Sequence, residues 1–187
     1  MRTAASSEPG LPGLILAFVA VLAAVAVALR ALDWVPSQIG AEPRGIRRYS
    51  SVQALERKVG ERVWLPAYFP DTLLWPAVRV RLVFGRPAAV GLAFAGRVQP
   101  NQDLIVCQTL GGYGTIPEAL LPGGVVLQTT TITVDGHPAA ISRVSLGDGL
   151  PVHDLDWESA GRSIRLRFHG PADQLIRMAE SLERNRR

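Results

Sequence analysis

His153, Asp154 and Asp156 are the closest approach to a reactive cluster in this chain of 187 residues. An imidazole beside carboxylates can ligate a metal or exchange protons. In a strand, however, successive side chains point to opposite faces, so His153 would look away from Asp154 and Asp156 and the trio would be split. His137 follows a glycine in a turn and His169 ends a strand-like run, so the three histidines show no ligand spacing. No serine lies in a G-x-S-x-G elbow or an S-x-x-K motif. Gly111-Gly112-Tyr113-Gly114 has the composition of a phosphate loop, but no Lys-Ser/Thr follows it and Pro117 comes before any helix. It reads as a flexible loop between strands that offers Tyr113 to a partner. Cys107, the sole cysteine, sits in the apolar run Leu104-Ile105-Val106, which excludes an internal disulfide and a cysteine-based metal cluster and suggests a buried small side chain. No catalytic, cofactor or metal site is expected, and an enzyme, hydrolytic or metal-dependent, ranks behind two binding readings.

Charge offers a different candidate. The formal net charge is +4, and arginine supplies it almost alone, Lys58 being the only lysine. No basic helix, zinc spacing or aromatic-rich basic motif accompanies the charge, so nucleic acid is not an expected partner. Arg79 and Arg81 alternate with apolar residues, as do Arg165 and Arg167. On strands, both pairs would point away from the core, and the outer face of the sheet could carry a basic stripe able to meet an acidic partner or anionic headgroups. The plainer reading is a solvated face.

The elements that must position these residues begin with a segment of another kind. From Leu11 to Leu29 no side chain is charged or hydrogen-bonding, and about 20 apolar residues in a helix cross the hydrocarbon core of a bilayer. Arg30, Asp33 and Trp34 follow as interface residues. A cleaved signal peptide would have a shorter apolar region and a more basic start than MRTAASSEPG. The expected division is a polar tail over 1–10, a transmembrane helix over 11–32, a linker over 33–48, a globular domain over 49–183 and a polar tail over 184–187. Gly13, Ala17, Ala20, Ala24 and Ala28 form a stripe of small residues along the helix, which could pack a second helix, although an alanine-rich span produces such stripes by chance. Arg30, Arg44, Arg47 and Arg48 after the span would keep the domain cytoplasmic by the charge rule.

Within the domain, Ser50 and Gln53 suggest a capping box for a helix that presents Val52, Leu55 and Val59 and stops at Gly60. Pro66, Pro70 and Pro76 then exclude regular structure, leaving Trp64, Tyr68, Phe69 and Trp75 to pack an irregular segment. Alternating runs follow over 78–84, 89–95, 103–109, 125–134, 138–145, 152–158 and 162–169, with turns at Gly85-Arg86-Pro87, Asp135-Gly136 and Ser159-Ala160-Gly161. Gly170-Pro171 opens a last helix with Leu175, Met178, Ala179 and Leu182 on one face. The fold class is α+β: an N-terminal transmembrane helix followed by a small antiparallel-sheet domain flanked by short helices.

In that order, the Val59-Gly60 helix end, Leu65-Pro66 with Phe69-Pro70, the Val134-Asp135-Gly136-His137-Pro138-Ala139 hairpin, Leu155-Asp156-Trp157-Glu158 and Met178-Ala179-Glu180-Ser181-Leu182 resemble an exported domain of unknown function. It is found in bacterial membrane-anchored proteins, including the outer portions of some anti-sigma factors and sporulation-associated proteins. The likeness covers roughly Tyr49 to Leu182. It implies a non-enzymatic sensing or partner-binding domain outside the cytoplasm, against the charge rule, with membrane lipid around the helix and a protein partner in the membrane or envelope. About ten residues precede the helix, which leaves no room there for a segment that holds a sigma factor. A carrier of an apolar or lipid ligand, held on a sheet face of Ala89, Gly91, Ala93 and Ala95, is the alternative.

Overall fold

The computed structural model describes residues 45–97, 104–147 and 151–184. The expected membrane helix over 11–32, with Gly13, Ala17, Ala20, Ala24 and Ala28, lies outside them. Among the described residues no helix is long and apolar enough to cross a membrane.

Eight strands make one antiparallel sheet: β1 (Ile46–Tyr49), β2 (Arg79–Val83), β3 (Ala88–Phe94), β4 (Leu104–Leu110), β5 (Val125–Val134), β6 (His137–Ser145), β7 (Val152–Ser159) and β8 (Arg162–Phe168). Among the described residues two helices accompany them, α1 (Val52–Val59) and α2 (Ala172–Arg184). The spatial order is β1-β2-β3-β4-β8-β7-β6-β5. Strands β1 to β4 run as one meander. The chain then leaves β4, goes to the far edge, and returns through β5, β6, β7 and β8 until β8 pairs with β4.

Sequence locates most of these elements because alternation and turn chemistry are local. Asp135 and Gly136 both take positive φ, 45° and 86°, as do Ala160 and Gly161 at 44° and 77°. Two such residues make the type I′ turn whose twist matches that of the strands it joins. Glycine 60 closes α1 at φ 73°, and its N–H donates to Glu56 O, the expected left-handed stop.

The cap at the other end of α1 differs from expectation. Ser51, not Ser50, is the N-cap, and its Oγ accepts from Ala54 N at 3.1 Å. The third residue after Ser51 is Ala54, which has no side-chain acceptor, so Gln53 completes no capping box. A second correction falls on the expected linker. Ile46, Arg47 and Arg48 belong to β1, paired with Val83, Leu82 and Arg81 of β2. Four residues with two adjacent arginines carry no period of their own, and pairing with β2 makes them a strand.

One face of the sheet holds the main core. Val80, Leu82, Val90, Leu92, Phe94, Leu104, Val106, Leu155, Trp157, Ile164, Leu166 and Phe168 meet Val52 and Leu55 of α1 and Leu175, Met178, Ala179 and Leu182 of α2. The irregular 61–78 segment closes this core, with Phe69 and Trp75 against Phe94 at ring separations of 5.0 and 5.7 Å. A polar knot ties the segment to the sheet. Buried Gln108 accepts from Trp64 N at 3.0 Å and donates to Trp64 O at 2.9 Å, and its Oε1 also takes Arg162 Nη1 at 2.6 Å. Arg162 donates further to Glu61 and to Arg62 O, and its guanidinium lies 4.5 Å from the centre of the Trp64 ring. Burial weakens the hold of Arg162 on its proton, and Glu61 opposes that loss.

Candidate functional site

Strand order fixes where a site can form. To begin β5, the 14 residues after Leu110 must pass β8, β7 and β6, about 19 Å at the usual spacing between strands. Because β4 and β5 run in the same direction, the crossing is diagonal. It takes the sheet face away from the helices, where Arg79, Arg81, Gly91, Cys107, Ser163, Arg165, Arg167, Asp154, Asp156 and Glu158 point by register.

The crossing is pinned at several points. Thr109 Oγ1 donates to Gly112 O at 2.5 Å and accepts from Ser163 N at 2.9 Å. Gly114 N–H donates to Ser163 Oγ at 3.0 Å, and that hydroxyl donates to Glu158 Oε1 at 3.2 Å. A Cβ at Gly114 would come within 2.6 Å of Pro87 Cγ, so this close approach needs glycine. Further along, Ile116, Leu120 and Leu121 bury against Ala89 and Cys107 in a second, smaller core. The glycine-rich segment expected to be a flexible connection is therefore a packed strap.

The strap also alters the carrier reading. Ala89 and Gly91 do leave room on this face, but the chain fills it: a Cβ on Gly91 would lie 3.1 Å from Leu120 Cδ2 and 3.6 Å from Cys107 Sγ. Burial pushes the Cys107 thiol up to about 12, with Arg165 and Arg167 opposing.

The expected basic stripe does not form. Gly91 and Cys107 separate Arg81 from Arg165 in the register, and Ala93 with Ile105 separate Arg79 from Arg167, so the two pairs stand about 14 Å apart. Arg165 and Arg167 also each meet an aspartate of β7 directly across the ladder. Arg167, only 3% exposed, is bidentate to Asp154, Nε to Oδ1 at 2.7 Å and Nη2 to Oδ2 at 2.6 Å, while its Nη1 donates to Pro122 O at 2.6 Å. Arg165 Nε donates to Asp156. Arg167 is thus a buried clamp that holds the strap to the sheet. Arg79 is exposed and Arg81 half-buried.

Between the strap and β5, β6, β7 and β8 remains an open groove of about 760 Å³. Tyr113, Gly114, Thr115 and Ile116 form one wall, Pro138 and Ala140 of β6 part of the floor, and Thr131 of β5 the far side. Asp156, Glu158, Ser163 and Arg165 supply its polar groups. Tyr113 is 54% exposed, the expected contact residue standing at a groove rather than on a free loop. Asp156 and Glu158 against Arg165 leave one carboxylate in excess. Burial raises the proton affinity of Asp156 above its ordinary value, and the Arg165 hydrogen bond opposes it. The groove can therefore take an apolar or aromatic group against Tyr113 and Ala140 and a donor or cation against Glu158.

The histidine cluster is divided as expected. His153 lies on the helix side of the sheet, its Nδ1 3.1 Å from Gly170 O, while Asp154 and Asp156 point to the groove side. His153 and His169 do share a second depression of about 510 Å³ with Arg143, Thr130 and Ala172, a meeting that their spacing in sequence does not signal. Among the described residues no group of three or more His, Cys, Asp or Glu could hold a metal ion. Nothing local in the sequence marks Glu158, Ser163 or Thr131 as groove residues. A signal existed for the ion pairs, because counting back from the Ala160-Gly161 turn sets Asp156 opposite Arg165 and Asp154 opposite Arg167.

Comparison with models of protein families, with curated proteins and with solved structures finds no match for this chain.

Proposed function

We propose that this protein is a single-pass, membrane-anchored binding domain of the bacterial envelope, non-enzymatic, which engages a protein partner through the groove beside Tyr113. The observation that carries the reading is the groove itself, built by a strap whose every tether is internal and rimmed by an exposed aromatic ring and an exposed carboxylate. Exposed tyrosine at a concave rim supplies large contact area at low entropic cost, a frequent anchor of protein interfaces. The engagement of Asp154 and Asp156 by arginines, and the position of His153 on the other face, favour binding over acid-base work. The charge-free run from Leu11 to Leu29 supports the anchor. An extracytoplasmic domain, acting as sensor or accessory subunit of a membrane complex, follows the resemblance described for Tyr49 to Leu182.

Affinity capture of the full chain in mild detergent, with mass spectrometry of proteins and lipids, tests this reading against Tyr113→Ala and Glu158→Gln variants. A protein enriched by the wild type and lost from both variants is the expected result. Identical proteins retained by all three chains would refute the groove as the contact surface, and enrichment of lipid alone would favour a carrier. A reporter fused after Arg187 that is active only in the cytoplasm would overturn the exported orientation.

A further inference from the structure

Among the described residues the sheet has two open edges, β1 and β5, and they are built differently. At one, β1 is four residues long and carries Arg47 and Arg48, with the Arg47 guanidinium 5.1 Å from the Phe84 ring centre. Short length and charge are standard protections of an edge against further pairing. At the other, β5 spans ten residues, VVLQTTTITV, without a charge, a proline or a glycine. Seven consecutive residues, Val125 to Thr131, are exposed. The one protective device is a register shift between Val126 and Gln128, which leaves Leu127 extra and the seven residues Gln128–Val134 regular.

Backbone chemistry shows what this edge lacks. The type I′ turn at Asp135-Gly136 closes on the Val134–His137 pair, which such turns leave hydrogen-bonded. Because bonded and non-bonded pairs alternate in an antiparallel ladder, the N–H and C=O groups of Thr133, Thr131 and Thr129 point away from β6. They form a row of donors and acceptors along an uncharged strand.

We infer that β5 pairs antiparallel with β5 of a second copy of this chain, about a twofold axis at Thr131, to make a continuous sixteen-stranded sheet. Three features select a second copy. The chain carries a net charge of +4, so two copies repel except where a surface is free of charge, and β5 is such a surface. Pairing of β5 with β5 is isologous and closes, whereas β5 against the arginines of a neighbour's β1 would be head-to-tail and open-ended. The register is also self-complementary. With Thr131 opposite its own mate, Thr129 faces Thr133, and Thr130 faces Ile132, while Gln128 faces Val134. Hydroxyl pairs of this kind already operate within the sheet, where Thr129 and Ser142 lie 2.8 Å apart. Leu127, exposed in one copy, falls beside the partner's hairpin turn.

Disulfide trapping in the full chain tests the pairing, with wild type as blank because its only cysteine, Cys107, is fully buried. Thr131→Cys brings two thiols to Cα positions about 5 Å apart, within the range that a disulfide spans. Thr129→Cys alone leaves its two copies about 14 Å apart, too far to bridge. The expected result is a reducible dimer for Thr131→Cys, little or none for Thr129→Cys or Thr133→Cys alone, and a dimer again when those two chains are mixed. Thr131→Lys places like charges at the axis and is expected to reduce the mass measured in detergent from two chains to one. Equal crosslinking at every position, no crosslink at Thr131, or a dimer that survives Thr131→Lys would each overturn the inference. A monomer that captures another protein along β5 would replace it.

Discussion

Replacing Asp154 with alanine removes both carboxylate oxygens that engage Arg167 and leaves the guanidinium, 3% exposed, with the Pro122 carbonyl as its one remaining acceptor of the three. A charge stranded in this way cannot recover its hydration without opening the strap. Breaking a buried ion pair from one side costs about 3–5 kcal/mol, a large share of the stability of an ordinary domain. The natural assay is urea unfolding of the full chain in mild detergent, followed by fluorescence of its four tryptophans. At a slope of roughly 1–3 kcal/mol per molar urea, the midpoint should fall by about 1–5 M. Arg167→Met strands the carboxylate instead, and the double variant Asp154→Ala/Arg167→Met strands neither. The double variant should therefore be clearly more stable than the sum of the single losses implies. A loss below about 1 kcal/mol for Asp154→Ala, or single losses that simply add, would show that the pair is hydrated and that the clamp does not hold the strap.

Two further outcomes follow from buried groups. Gln108→Leu keeps the volume but deprives Trp64 N, Trp64 O and Arg162 Nη1 of their partner, and it should cost about 2–4 kcal/mol in the same assay. Gln108→Glu should be milder than Gln108→Leu, because it still accepts from Arg162. Cys107, with its thiol held up to about 12 against an ordinary 9.0, should resist alkylation in the native chain at about pH 8.5 and react fully once unfolded. The sign of its linkage is fixed by the direction of the shift. Below about pH 9 both states keep the proton and stability is unaffected; from 9.0 towards about 12 only the unfolded chain releases it, so stability falls as pH rises. Stability that rises across that interval would contradict the burial of this thiol.

Features that depend on near neighbours were legible in the residues alone. Alternation marked Val80, Leu82, Val90, Leu92 and Phe94 for a core, two short turns were set by Asp135-Gly136 and Ala160-Gly161, and the prolines from Pro66 to Pro76 ruled out regular structure there. Leu175, Met178, Ala179 and Leu182 shared a helix face because 3.6 residues per turn leaves them no other arrangement. The same locality misplaced the α1 cap by one residue and concealed β1, whose four residues become a strand only beside β2. Tertiary structure alone decided the rest, because strand order depends on where a connection travels and not on the pattern inside any strand. Sending β5 to the far edge drew residues 111–124 across the sheet, filled the space beside Gly91 with Leu120, set Tyr113 at a groove and left β5 open along one side. It also changed the meaning of Arg165 and Arg167. Their alternation with apolar residues showed that they leave the main core, but only the ladder with β7 and the strap above it turned one into a neutralised groove residue and the other into a buried clamp, since a charge is fixed by what surrounds it in space.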